Sequence, residues 1–276
     1  MMKKGKENIS ITAHMMVKNE DQFVWYAIQS VLPYVDKIII TDTGSSDKTL
    51  PVISLIKSDK IVIGKVNTND RKKLIDIRNQ NIADTDTDWI LLVDGDEVWG
   101  TESIKKIVEE INRAPNHIYG IVNETRNCVG DIYHYQNQHA GKYKILDKTG
   151  HYTIRAMRNV KGLSVSGKYP NEKYVINGNG IQNLNRNLMT CDTWYLHATH
   201  LQRSSDPVAN QNTIDRLDKF KLELGIEFEE NEIPEVFNLD DIPPAIPRPQ
   251  DYRISGGRKA IAWFISQMKN IKRALT

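Results

Sequence analysis

Within the first hundred residues, short apolar runs repeatedly stop at a polar turn and give way to an amphipathic stretch, and this rhythm restricts the chain to an α/β fold. "ISITAHMMV" reads as a strand that ends in "KNED". Phe23, Val24, Ala27, Ile28, Val31 and Leu32 then keep a helical stripe until Pro33 stops it. "KIIIT" is a second strand, followed by "DTGSSDKT", in which Gly44 permits a tight turn and Ser46 or Asp47 can cap a helix. "KIVIGKV" precedes a helix around "RKKLIDIRNQNIA", and "WILLV" is the next strand. Strands joined through helices pair mainly in parallel, with helices on the flanks, and ligands gather beyond the carboxyl ends of such strands. The polar turns "KNE", "DTGSSD" and "DGDE" all fall there.

The third turn crowds Asp94, Asp96 and Glu97 behind a strand that reads as central. Residues two apart in an extended chain point the same way, so Asp94 and Asp96 project together. Like charges that close are tolerated most readily around a cation, and hard carboxylate oxygens suit Mg²⁺ or Mn²⁺. A divalent ion of that kind commonly bridges nucleotide phosphates. A solvated acidic turn is the plainer reading of an isolated pair of this type.

"MMVKNEDQFVWYAIQSVLPYVDKIIITDTGSSDKT", "IRNQNIA" and "WILLVDGDE" together resemble the successive nucleotide-binding motifs of the family 2 glycosyltransferases of GT-A fold. That resemblance implies a Rossmann-like, mainly parallel central sheet flanked by helices. It implies an inverting, metal-dependent hexosyltransferase that uses a nucleoside-diphosphate-sugar, with a UDP-sugar the expected donor and Mn²⁺ or Mg²⁺ the cofactor. Val17, Lys18, Asn19 and Glu20 match the segment lining the nucleoside pocket, Asp42 the acid that contacts the base, and Arg78 the basic residue near base and phosphates. Asp94 and Asp96 match the DxD pair, with Asp96 the more direct metal ligand. Asp42, Ser45 and Asp47 equally suit a turn and a helix cap, and Arg78 a solvated helix position.

The second half is expected to hold the acceptor, which could be a carbohydrate, a lipid-linked or a protein hydroxyl. "TIRAMRNVKGLSVSGKYPNEKYV" resembles the family region of a basic strand followed by Gly, a spacer and His-Glu, with Asn171 here in place of the His. A partly desolvated carboxylate suits the general base, which makes Glu172 the candidate and Asp131 or Glu97 the substitutes. In "WYLHATHLQRSSD", His197 or His200 can complete a metal shell, with His197 favoured, and Arg203 can pair with a diphosphate or a surface acid. "NGNG" at 177–180 reads as a hairpin turn, because it does not open a helix after a strand.

The expected organisation is a GT-A domain over 1–225, divided into a nucleotide-sugar half (1–122) and an acceptor half (123–225), then a wrap and amphipathic helix over 226–276. "NTIDRLDKFKLELG" reads as one helix ending at Gly225, and "EENEIPEVFNLDDIPPAIPRPQDY" as an extended wrap. The last helix sets Ile261, Phe264, Ile265, Met268, Ile271 and Leu275 on one face, expected to dock on the body; peripheral contact with an anionic membrane is the sharper alternative. A formal charge of +2 argues against broad nucleic-acid binding. Cys128 and Cys191 lack metal-ligand spacing and read as reduced, half-buried thiols. The absence of a long apolar run or an apolar leader points to the cytoplasm. The competing functions are a sugar nucleotidyltransferase, disfavoured because "MMVKNED" lacks a glycine-rich loop, and a non-catalytic nucleotide or carbohydrate binder.

Overall fold

The computed structural model describes residues 9–213 and 221–274. One sheet is built from β1 (Ile11–Val17), β2 (Lys37–Asp42), β3 (Ile61–Lys65), β4 (Trp89–Leu92), β5 (Glu97–Trp99), β6 (Gly120–Asn127), β7 (Tyr152–Arg158) and β8 (Leu188–His197). Their spatial order is β3-β2-β1-β4-β7-β6-β8-β5. β7 runs against β4 and β6, and β5 against β8; every other pairing is parallel. The mainly parallel sheet expected from the apolar runs is therefore present.

The burial pattern explains the sequence. β1, β2 and β4 are covered on both faces, so they need nearly continuous apolar runs rather than alternation. β3 closes one edge and leaves Val62 and Ile63 about half exposed. Between the strands lie α1 (Val24–Val31), α2 (Thr49–Ile53), α3 (Arg71–Ala83) and α4 (Thr101–Arg113). Asp70 caps α3 by accepting from the Lys72 amide at 2.9 Å. "NGNG" is the expected hairpin: Asn177 and Gly178, both of positive φ, join antiparallel strands Lys173–Ile176 and Asn179–Gly180.

The acidic, proline-rich segment wraps the domain as read, and its apolar residues enter the core. Phe228, Ile233, Val236, Phe237, Ile242 and Ile246 are buried in the main cluster. The Phe237 ring lies 4.7 Å from that of Tyr26 in α1, whose hydroxyl donates to the Pro247 carbonyl at 2.9 Å.

Three expectations are corrected. The helix expected over 212–225 does not reach Gly225: residues 214–220 lie outside the described residues, 221–225 are not helical, and the short α5 (Pro207–Gln211) ends before the expected segment begins. Leu224 is instead held against the last helix, α6 (Gly256–Ala274), with its amide 2.7 Å from Ser266 Oγ. Most of the apolar face of α6 does not dock on the body: Ile261, Phe264, Met268 and Ile271 are exposed, Ile265 is half-buried, Leu275 lies outside the described residues, and Ala262 and Ser266 occupy the interface. The small side chains permit the closer approach. Cys128 and Cys191 are free, and both are buried rather than half-buried. Among the described residues no helix is long and apolar enough to cross a membrane.

Candidate functional site

The site is organised by the turn that follows β4. Gly95 lets the turn pack closely there, because a Cβ at this position would stand 3.0 Å from both Val17 Cγ1 and Glu20 Cγ, which would have to give way. The turn carries the chain from the middle of the sheet to its far edge, where Glu97 opens β5 and pairs with His197 at the end of β8. The Ala198 amide donates to the Asp96 carbonyl at 2.8 Å. That crossing brings His197 Nε2 to 3.4 Å from Asp96 Oδ2. His200 lines a separate pocket with Phe23, Asp131 and Leu201.

Three arginines hold the acids. Arg203 Nη1 is 2.7 Å from Asp96 Oδ2 and 3.3 Å from Glu20 Oε1. Arg155 on β7 bonds Glu97 through Nη2, which also lies 3.6 Å from Asp94 Oδ2, and its Nε donates to the Tyr195 hydroxyl at 2.8 Å. Arg78 Nε in α3 is 3.3 Å from Glu172 Oε1. Burial works against all three guanidinium charges. Tyr174, Asp94 and Glu172 outweigh it at Arg78, Glu97 and Tyr195 at Arg155, and Asp96 and Glu20 at Arg203, so each guanidinium is held protonated. Glu97 shows the converse. Its burial raises the carboxyl pKa to about 7 against the pull of Arg155, and its Oε2 accepts from the Asp94 amide at 3.1 Å, bracing the turn from within.

Two cavities meet at this cluster. The smaller, about 220 Å³, is lined by Val17, Lys18 and Glu20 after β1, by Thr43 and Thr68, and by Asp96 and Arg203. The larger, about 760 Å³, opens between β6, β7 and the 138–152 segment and is lined by Lys142, Tyr143, His151, Tyr152 and Tyr195. Arg78, Asp94, Glu172 and His197 line both. Glu172 arrives there on the loop that runs from Gly167, which has φ +99°, into the strand beginning at Lys173.

Two of the expected positions stand back from the cavities. Asp42 is fully buried and accepts from the amides of Gly44 (3.3 Å) and Ser45 (3.1 Å), closing its own turn. Asn19, at φ +57°, ties three loops together: its Oδ1 accepts from the Ser46 amide at 2.8 Å, and its Nδ2 donates to the Ala209 carbonyl and Thr213 Oγ1. Of the substitute bases, Asp131 is engaged by His134 at 2.7 Å and by the Ile254 amide at 2.8 Å, away from both cavities. Sequence reading missed Arg155, Tyr195 and Tyr174. The one signal was the pair of arginines within "TIRAMR", which stand three apart and so face opposite sides of a regular strand, while β7 carries a bulge between Ile154 and Ala156 that alternation does not predict.

Among the described residues no three His, Cys, Asp or Glu side chains converge as a metal cage. At the acidic turn one carboxylate and one imidazole converge, Asp96 and His197.

The family described as "Glycosyl transferase family 2" matches residues 12–167, ending before Glu172, His197 and Arg203. A TPR repeat-containing protein of Synechococcus elongatus is 33% identical over 93 residues, which cover 34% of this chain and 22% of that protein. Among solved structures, the chain is similar to TarS (residues 1–349) of S. aureus, at TM-score 0.45 and 10% identity, covering 69% of this chain and 61% of that one. It is also similar to the glucosyl-3-phosphoglycerate synthase of Mycobacterium tuberculosis in complex with Mn²⁺, UDP and glucosyl-3-phosphoglycerate. There the TM-score is 0.45 and the identity 16%, over 77% and 80% of the two chains. The chain thus spans about a fifth of its curated relative and less than two thirds of the TarS fragment.

Proposed function

We propose, from the premise that the chain belongs to glycosyl transferase family 2, that it moves a sugar from a UDP-sugar to an acceptor hydroxyl with inversion at the anomeric carbon. The observation that carries this reading is the meeting of two cavities at Asp94, Arg78, Glu172 and His197. A transfer reaction needs donor and acceptor to approach one point from two sides, excluded from bulk water.

The smaller cavity would hold the nucleotide, with Val17, Lys18 and Glu20 beside the nucleoside. Asp42 and Asn19 would act at one remove, fixing the turns that form its wall. Asp94 and Arg78 would face the diphosphate end. The larger cleft would take the acceptor, where tyrosine faces suit a sugar ring.

Asp96 and His197 would hold Mn²⁺ or Mg²⁺. Their 3.4 Å separation suits two neighbouring ligands, and such ions keep waters and take substrate phosphates for the remaining positions. When bound, the ion supplies neutralisation of charge on the leaving diphosphate. Arg203, already on Asp96, would offer planar donors to the same diphosphate.

Glu172 would accept the proton of the acceptor hydroxyl. The hydroxyl oxygen then bonds to the anomeric carbon on the face opposite the diphosphate, and the bond to the diphosphate oxygen breaks with its electron pair leaving on UDP. The Arg78 guanidinium, 3.3 Å from Glu172 Oε1, aims the carboxylate. Glu172→Gln tests the assignment: donor affinity should persist while transfer, or donor hydrolysis in the absence of an acceptor, falls by roughly 10² to 10⁴. Near-normal turnover would remove Glu172 from the role, and an equal loss of affinity and rate would make it a binding residue.

A further inference from the structure

Helix α6 is seated by its small side chains and turns its large ones outward. Ala262 and Ser266 are buried, Ser266 Oγ accepts from the Leu224 amide at 2.7 Å, and Lys269 Nζ pairs with Glu223 Oε1 at 2.7 Å. Those contacts fix the rotation of the helix. Ile261, Phe264, Met268 and Ile271 are then left 56%, 61%, 56% and 58% exposed. Spaced three and four apart, they form one stripe, and Trp263 stands on its flank at 54% exposure. Single apolar residues scattered on a surface are ordinary, but a continuous stripe held outward by a fixed seat marks an interaction face.

Charge decides the occupant. From Tyr252 onward the sequence carries six bases and no acid. Arg253 reaches Glu227 at 3.7 Å and Lys269 is paired with Glu223, while Arg258 and Lys259 are exposed at the amino-terminal end of α6. A second copy presenting the same helix would set bases against bases. An anionic lipid surface satisfies both features at once, taking the apolar stripe into its acyl boundary and the bases at its headgroups. We propose that α6 is an interfacial anchor that lays the protein on an anionic membrane surface without spanning it. This rests on the helix alone and not on the reading of the catalytic cleft.

Co-sedimentation of the full chain with vesicles of phosphatidylcholine, and of phosphatidylcholine mixed with phosphatidylglycerol, tests it. The expected result is binding to the mixed vesicles that weakens as salt is raised and drops roughly tenfold or more in Phe264→Glu/Met268→Glu, with the thermal transition and circular dichroism unchanged. If that double variant fails to fold, Arg258→Glu/Lys259→Glu serves in its place, with the same expected drop. Equal binding to neutral vesicles, or undiminished binding by a folded variant, would overturn the proposal. So would a dimer in sedimentation velocity that the double variant abolishes while neither protein binds vesicles, because the stripe would then belong to a second copy.

Discussion

Asp96 is 1% exposed, and its carboxylate is bonded to the guanidinium of Arg203, 107 residues away. A carboxylate that merely crowded an acidic turn could be removed at no cost, but this one balances a buried arginine. Asp96→Ala therefore leaves Arg203 with Glu20 alone and should lower stability by about 3 kcal/mol in urea unfolding, the low end for breaking a buried pair. No change would mean that Arg203 finds water instead. His14 carries a second residue-scale consequence. Burial, with Arg78 and Lys37 adding to it, lowers its pKa to about 3, and Nε2 lies 2.6 Å from Thr85 Oγ1. The unfolded chain then binds one more proton than the native state between about pH 6.5 and pH 3, so stability falls as pH falls through that window. At pH 5 the penalty is about 2 kcal/mol. His14→Gln should flatten the acid limb of a stability–pH curve, and an unaltered slope would show that another group titrates.

At the scale of elements, the carboxyl-terminal wrap is part of the core. Phe237 is 1% exposed against Tyr26. Phe237→Ala should cost about 3 to 5 kcal/mol while unfolding stays a single transition. A loss under about 1 kcal/mol, or a separate early transition, would make the wrap a detachable appendage. The parallel part of the sheet is legible in the sequence because β1, β2 and β4 are doubly covered and must be apolar throughout, and because each ends in a polar turn. β5 is not legible. Its three residues, Glu97–Trp99, carry no period, and its partner β8 lies far along the chain, yet this pairing is what carries His197 to Asp96. The same limit hid Arg155 and Tyr195, whose bond joins β7 to β8. Helix α6 shows a different limit. Its amphipathic period was readable, but which face docks was decided by Ala262 and Ser266 packing closely on Leu224, which hydropathy does not rank.

For the molecule as a whole, the sheet's carboxyl ends gather the turns after β1, β2 and β4 into one wall, and β6, β7 and β8 supply the other. Acids come from the first wall and from the loop before Lys173, arginines from both, and the two cavities share their meeting point. A metal-dependent transferase reading requires that the nucleotide's affinity depend on a divalent ion held by Asp96 and His197. Calorimetric titration of UDP into the protein, with Mn²⁺ and with chelator, measures that dependence. The expected result is binding to the wild type that is tightened at least roughly tenfold by Mn²⁺, with Asp96→Asn and His197→Ala folded but indifferent to the ion. Equal UDP affinity with and without Mn²⁺ in all three proteins would contradict it.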